Sequence, residues 1–291
     1  VEKVVVLLIA VLLDAMFGEP PNVVHPTVWF GKIIGFFDRF WKRKNCLIDF
    51  IAGSTFTLIV LLFAYSLALV AINLPTLLRI ALESYLLFSA ISIRSMVEHA
   101  RRTIQNGHVI AEEVKKIVSR DVAKLDQSRL SSAVIESIAE NFVDGVLAPL
   151  LYYSLFGIAG AVVYRAINTC DAMIGYRTER YACFGKFSAR LDDLANFVPA
   201  RLSALLFLAF KPSALRVVKR YRKIKLNGGY PISAMAGILG VTLEKPSYYK
   251  VEAGRYPNAE DVRKAICIYV KLCALSVAIA LACLCLRETL A

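Results

Sequence analysis

Long apolar runs alternate with short charged stretches along the chain, and the length of each run limits what it can become. Ile51 to Ile72 is apolar almost throughout. At about 1.5 Å of helical rise per residue it is long enough for the roughly 30 Å hydrocarbon core of a bilayer. Asn73-Leu74-Pro75 ends it with a tight turn, and Leu77 to Ile93 supplies a second run despite Arg79 and Glu83 near its start. The pair predicts a helical hairpin. Ala265 to Leu286 reads as another span, with Lys271 near one end. The first run, Val4 to Leu13 continuing to Phe17, fits a short span or a signal-peptide core. It leads into Gly18-Glu19-Pro20-Pro21 rather than a small-residue cleavage site, and basic residues follow rather than precede it. Both features favour a retained span.

Two other runs are ambiguous: Gly145 to Ile167 contains Pro149, Gly157 and Gly160, and Val198 to Phe210 is short. A run that short more often marks a buried or re-entrant helix. Residues 94–144 are polar and helix-like with a break at Gly107, and 211–264 are mixed. In the latter, Gly228-Gly229, Pro231, Pro246 and Pro257 mark turns, and Val241 to Lys245 could be a short strand. The expected fold is mainly α: a polytopic integral membrane protein with about four spanning helices, two membrane-embedded helices and cytoplasmic helical or mixed loops. It forms a single membrane domain over 1–291, with cytoplasmic segments at about 94–144, 168–196 and 211–264.

Composition supports lipid as the solvent. Of 291 residues 57% are hydrophobic and 20% charged, with a mean hydropathy of +0.57, too apolar for an ordinary soluble domain. Lys and Arg number 35 against 23 Asp and Glu, a net charge of +12. In a membrane chain that excess fits loops facing anionic headgroups, not nucleic acid. Arg39, Lys42, Arg43 and Lys44, the segment Arg94 to Arg129, and Lys211 to Lys225 with seven basic residues and no acid should all face the cytoplasm. Both termini then lie outside. The seven cysteines form no CxxC pair, and four of them fall in the last apolar stretch; no disulfide framework or zinc site follows.

Several polar residues stand at membrane boundaries. Glu136, Glu140 and Asp144 are spaced i, i+4, i+8, one helical stripe, with Asn141 beside it. Such a stripe is either a solvated face or, running straight into the apolar residues from Val146, a site for a cation or substrate. Asn168 and Asp171 are one turn apart before Gly175, a helix-ending turn or the wall of a polar site. Arg190 with Asp193, and Asp192 with Asn196, are also one turn apart. They fit a structural ion-pair network or phosphate and metal binding. Ser119 could cap a helix while Arg120 reaches an anion; His25 could finish a turn, and His99 and His108 fit ordinary helix surfaces. No Walker A, HExxH, GxSxG or dinucleotide fingerprint is present.

Taken in order, these clusters resemble the CobD/CbiB family of cobalamin biosynthesis, the adenosylcobinamide-phosphate synthases. The resemblance runs from Gly18-Glu19-Pro20, His25-Pro26 and Gly31 through Ser119-Arg120-Asp121 and Leu125-Asp126. It is strongest at Glu136-Ser137-x-x-Glu140-Asn141-x-x-Asp144-Gly145 with Ala148-Pro149, and at Asn168-Thr169-x-Asp171-x-Met173-x-Gly175-Tyr176. Phe184-Gly185, Ala189-Arg190-Leu191-Asp192-Asp193-x-x-Asn196, Pro199-Ala200-Arg201 and Ala234-Met235-Ala236-Gly237-x-Leu239-Gly240-Val241 extend it. Glu19 stands where the family often has Asp, which keeps the carboxylate.

The resemblance implies an ATP-dependent amide ligase that joins adenosylcobyric acid to an aminoalcohol or its phosphate at the cell membrane, with the site on the cytoplasmic side. On that reading Glu136, Glu140, Asp192 and Arg190 are catalytic. Arg120, Asn141, Asn168, Arg177, Asn196 and Arg201 bind substrate or phosphate, and Asp144, Asp171 and Asp193 hold Mg2+. The expected partners are the corrinoid, the amine, the bilayer and other membrane enzymes of cobalamin assembly. A small-solute or metal transporter and a membrane alcohol phosphotransferase are the alternatives. The acids sit beside the spans rather than within them, and Asp144-Gly145 is not followed by Ala-Arg at the distance that the CDP-alcohol phosphotransferases require.

Overall fold

The computed structural model describes residues 1–118 and 120–290, with no account of the side chains of 288 and 290; Ser119, expected as a cap, lies outside the described residues. In chain order the elements begin with α1 (Glu2–Phe17), α2 (Pro26–Phe40), α3 (Cys46–Ile72), α4 (Thr76–Ala90) and α5 (Ile93–Arg102). A small hairpin, β1 (Ile104–Gln105) and β2 (His108–Val109), precedes α6 (Ala111–Val114) and α7 (Gln127–Phe142). A π-turn over Val143–Leu147 leads into α8 (Ala148–Ile174), followed by α9 (Lys186–Ala195), α10 (Phe197–Phe210), α11 (Leu215–Tyr221) and α12 (Gly229–Leu239). The hairpin β3 (Leu243–Lys245) and β4 (Tyr249–Val251) comes before α13 (Ala259–Leu290). The expected break at Gly107 is the β1–β2 turn, at φ 80°, and the expected strand at Val241 to Lys245 is narrowed to β3.

The protein is a mainly α, polytopic membrane protein. Four helical stretches of the described residues are long and apolar enough to cross a bilayer: Cys46–Ile72, Thr76–Arg102, Gln127–Ile174 and Ala259–Arg287. Their number agrees with the sequence reading, but the set differs. Helix α1 has 16 residues, about 24 Å of helix and short of a bilayer core. The run at Gly145 to Ile167 is instead part of a long helical stretch. Pro149 follows directly on the π-turn at Val143–Leu147, and that local widening lets the stretch continue past a proline. Gly157 does bend α8, adopting φ 68° and ψ −157°.

Contacts divide the chain into two compact units, each built from separate segments. The first comprises Val1–Ser92, Ala148–Asn196 and the end of the chain from Ala278; the second comprises Ile93–Leu147 and Phe197–Val277. In the first unit α3 packs on α8 and α9, and α1 on α4. The buried face of α3 carries Ala52, Gly53, Thr57, Val60, Ala64, Ala68 and Ala71, while Ile51, Leu58, Leu62 and Val70 are exposed. Small residues on one face let helix backbones approach, and the large apolar residues on the other are left for lipid. Gly53 shows how close the approach is, since a Cβ there would lie 1.8 Å from the Phe184 carbonyl oxygen.

Next to that contact Cys46 and Cys183 form a disulfide across 137 residues of sequence. This corrects the reading that no disulfide follows from the cysteines. Pairing across so long a separation is created by the docking of the 183–185 segment onto α3 and has no signature in local spacing. In the second unit α7 packs on β3 and α12, and α12 on α10 and α11. The start of α13 is fixed by Asn258, whose Oδ1 accepts from the N–H groups of Glu260 and Asp261. The buried Asp261 carboxylate in turn takes a two-pronged bond from Arg255 at 2.7 and 2.8 Å.

Both features of the first unit can be tested. Cys46→Ser should lower stability by about 2–5 kcal/mol, in line with closing so long a loop. Gly53→Ala should cost at least about 1–3 kcal/mol through forced displacement of backbone. Thermal unfolding in detergent, with free thiols counted before and after reduction, reads both; unchanged melting of Gly53→Ala would contradict the close approach.

Candidate active site

In the second unit, the acidic stripe of α7 meets a set of basic residues that the sequence did not associate with it. Glu136 is 2% exposed. Its carboxylate pairs with Arg120 at 3.0 Å and accepts hydrogen bonds from Ser132 Oγ and the Tyr249 hydroxyl, both at 2.7 Å. Ser132 Oγ also accepts from the Glu244 N–H at 2.7 Å, which ties β3 to α7. One turn on, Glu140 pairs with Lys225. Arg120, Glu136, Glu140, Lys225 and Tyr249 line a cavity of about 170 Å³ with Lys245, so three cations face two carboxylates.

The electrostatics follow from that arrangement. Crowding by protein atoms draws the Lys225 ammonium down, but Glu140, reinforced by Asp144 and Glu136, outweighs it and holds the group above its ordinary value. Lys245 moves the other way: burial, then repulsion by Lys225 and Arg120, lowers it against the pull of the two glutamates. Burial, and then the negative charge of Glu136 and Glu140, pushes the Tyr249 phenol well up. Tyr249 therefore stays a hydrogen-bond donor at neutral pH.

The other residues expected here have other surroundings. Asp144 lies in the π-turn rather than on the α7 stripe, a local widening often found at functional positions. Asn141 accepts from the Tyr269 hydroxyl at 3.0 Å. Arg201 stacks on Phe197 and Tyr230, 3.3 and 4.8 Å from the ring centroids, and donates to the Phe197 carbonyl. Its guanidinium is engaged by the scaffold.

The first unit gathers a second cluster at α8 and α9. Asp192 accepts from Asn196 Nδ2 at 3.0 Å and from Asn168 Nδ2 at 3.4 Å. Tyr164 donates to Asn196 Oδ1 at 2.8 Å, which fixes the amide so that its NH2 faces the carboxylate. Arg190 and Asp193 form an exposed pair at 3.5 Å. Gly175 leaves room for Asp171, whose Oδ1 would lie 1.9 Å from a Cβ there. Arg177 is exposed on the segment after α8.

Sequence reasoning missed Lys225, Lys245 and Tyr249, which reach the cavity only through tertiary packing. One signal was available: Gly228-Gly229 reads as a turn, yet a Cβ on Gly228 would meet Glu140 Oε1 at 2.3 Å. It also missed Arg165, a cation in an apolar run and so a candidate in its own right. Arg165 approaches Asn168 Oδ1 at 3.5 Å, and its buried Nε has no hydrogen-bond partner among the described residues. His25 caps α2 by accepting from the Thr27 N–H at 3.3 Å. Burial and then Arg165 push its imidazole down against the pull of Glu19, leaving it neutral at pH 7.

The family described as CobD/Cbib protein matches residues 7–278. The chain belongs to the CobD/CbiB family. It is 50% identical over 264 residues to a probable cobalamin biosynthesis protein CobD of Pyrococcus furiosus, covering 90% of this chain and 92% of that one. The like-named Archaeoglobus fulgidus protein is 50% identical over 275 residues, covering 94% and 92%, and that of Methanocaldococcus jannaschii 38% over 283 residues, covering 90% and 91%. No solved structure matches. The match to the CobD/CbiB family supports a role in cobalamin biosynthesis and takes in both polar clusters.

Glu136→Gln should destabilise this CobD/CbiB member by about 3–5 kcal/mol by leaving Arg120 partly buried without its countercharge. Tyr249→Phe should cost about 1–3 kcal/mol. Because the folded state holds the Tyr249 and Lys225 protons more tightly than the unfolded chain does, their contribution is present below about pH 10 and falls as pH rises further. Ultraviolet titration of tyrosine, with Tyr249→Phe as the difference, should show one phenol still protonated where ordinary tyrosines ionise; a normal titration would contradict the burial argument.

Proposed function

We propose that the protein is an ATP-dependent amide ligase that joins the carboxylate of adenosylcobyric acid to an aminoalcohol or its phosphate, giving adenosylcobinamide or its phosphate. The observation that carries the reading is the cavity in which Arg120, Lys225 and Lys245 outnumber Glu136 and Glu140. A polar cavity with an excess of cations suits phosphoryl oxygens whose charge grows during transfer.

A free carboxylate is a poor electrophile, so activation comes first: a corrinoid carboxylate oxygen attacks the γ-phosphorus of ATP and ADP leaves. The amine nitrogen then attacks the acyl carbon, and inorganic phosphate leaves with the carboxylate oxygen. A base takes the proton from nitrogen. In this scheme Glu136 positions Arg120 and Tyr249, while Glu140 keeps Lys225 charged. In the first unit's own cluster Asp192, oriented by two amides, is the proposed proton acceptor, and Arg190, beside Asp193, the proposed phosphate donor.

Among the described residues no three His, Cys, Asp or Glu side chains are grouped to hold a metal ion. The magnesium of this proposal would therefore arrive with the nucleotide, held by one or two carboxylates together with phosphate oxygens and water. When bound it would neutralise phosphate charge, with one of Asp144, Asp171 and Asp193 as its proposed protein donor. ATP use places the chemistry on the cytoplasmic side in this proposal.

ATP consumption by the purified protein should require corrinoid and amine together; turnover with either alone would count against ligation. Lys245→Gln should fold normally and lose about 10²-fold in turnover. Arg190→Lys should preserve the surface charge, whose pairing is worth about 1 kcal/mol or less. It should nevertheless lose roughly a hundredfold in amide formation, because ammonium cannot reproduce the guanidinium fork. Normal turnover of Arg190→Lys would return Arg190 to the scaffold.

A further inference from the structure

A separate hollow of about 540 Å³ opens in the second unit near the beginning of α13. There the helix passes from the charged residues Glu260, Asp261, Arg263 and Lys264 into the apolar stretch that follows. Arg263, Cys267 and Lys271 stand at i, i+4 and i+8 and form one stripe, with Ile266 and Val270 beside it. Arg101, at the end of α5, and Ile104, in β1, form the other wall. The lining thus combines three cations with an apolar floor and contains no acid. Arg263 has a neighbour in Glu260 at 3.1 Å. Arg101 and Lys271 have no ion-pair partner among the described residues.

Two physical facts narrow the occupant. A cation at the polar edge of a spanning helix is stabilised by an anionic headgroup, and long basic side chains can lay their stems on apolar surface while the charged ends reach that headgroup. The apolar floor has no use for a small inorganic anion but accommodates the first part of an acyl chain. We propose that this hollow binds an anionic glycerolipid, its phosphate against Arg101, Arg263 and Lys271 and its chain over Ile104, Ile266 and Val270. The proposal does not rest on the ligase reading.

Native mass spectrometry of the full-length protein, released from micelles containing equal phosphatidylglycerol and phosphatidylcholine, tests it. One phosphatidylglycerol should be retained preferentially. Combined Arg101→Gln and Lys271→Gln should cut that preference on the order of tenfold, as expected for losing two cations near a membrane surface. Arg101→Lys with Lys271→Arg should keep it, which separates lost charge from misfolding. Lys219→Gln with Arg220→Gln removes the same charge from α11 and should leave retention unchanged. Equal retention by the Arg101/Lys271 neutral variant would overturn the site. An equal loss in the α11 variant would reduce the effect to general attraction. Displacement by millimolar inorganic phosphate would show an anion site without a lipid, and retention of an acidic protein chain in place of lipid would also contradict the proposal.

Discussion

A carboxylate taken out of water must be matched, and Glu136 is the point at which that requirement organises the second unit. Isolated burial of such a charge costs several kcal/mol, while hydrogen-bonded pairing offsets much of it. Here the match comes from three places in the sequence: Arg120 before α7, Ser132 one turn earlier within it, and Tyr249 on β4. Ser132 uses its remaining acceptor capacity to hold the Glu244 N–H. The β3–β4 hairpin is therefore held against α7 by the same atoms that satisfy the buried acid, and Lys245 is carried to the cavity with it. Glu140 repeats the logic at the half-exposed end of the stripe with Lys225.

The first unit solves a different problem, how to bring polar residues of α8 and α9 together beside apolar helices. Its solution is close backbone packing. Gly53 and Gly185 each leave space for a carbonyl oxygen, that of Phe184 and that of Ile174, and the Cys46–Cys183 bond fixes the intervening segment. Tyr152 stacks on Tyr164 with centroids 5.2 Å apart. Both hydroxyls then reach the end of α9, at the Ala195 carbonyl and Asn196. Asp192 is consequently held at a defined angle by groups that are themselves packed, a degree of preorganisation that an exposed acid on a free helix lacks.

Much of this was legible from local pattern. The apolar run of α3, the turn at Asn73 to Pro75 and the apolar body of α13 depend on length and hydropathy alone. The relations of Arg190 to Asp193 and Asp192 to Asn196 depend only on helical spacing. What could not be read required partners distant in sequence. Lys225 looks like one more cation in a basic run until Glu140 is placed against it, and Cys46 gives no hint of Cys183. Pro149 misled for a more specific reason: proline disfavours a helix interior, and the π-turn at Val143–Leu147 that precedes it within the helical stretch has no simple sequence signature.

The claim that the cation-rich cavity serves carboxylate activation by phosphoryl transfer is open to one direct measurement. The corrinoid substrate is labelled with 18O in the reacting carboxylate, and the protein is supplied with ATP, magnesium and amine. An acyl phosphate route transfers one labelled oxygen to inorganic phosphate for each amide formed and leaves ADP unlabelled. Label in AMP would instead mark adenylation, and amide formation with unlabelled phosphate would contradict the account.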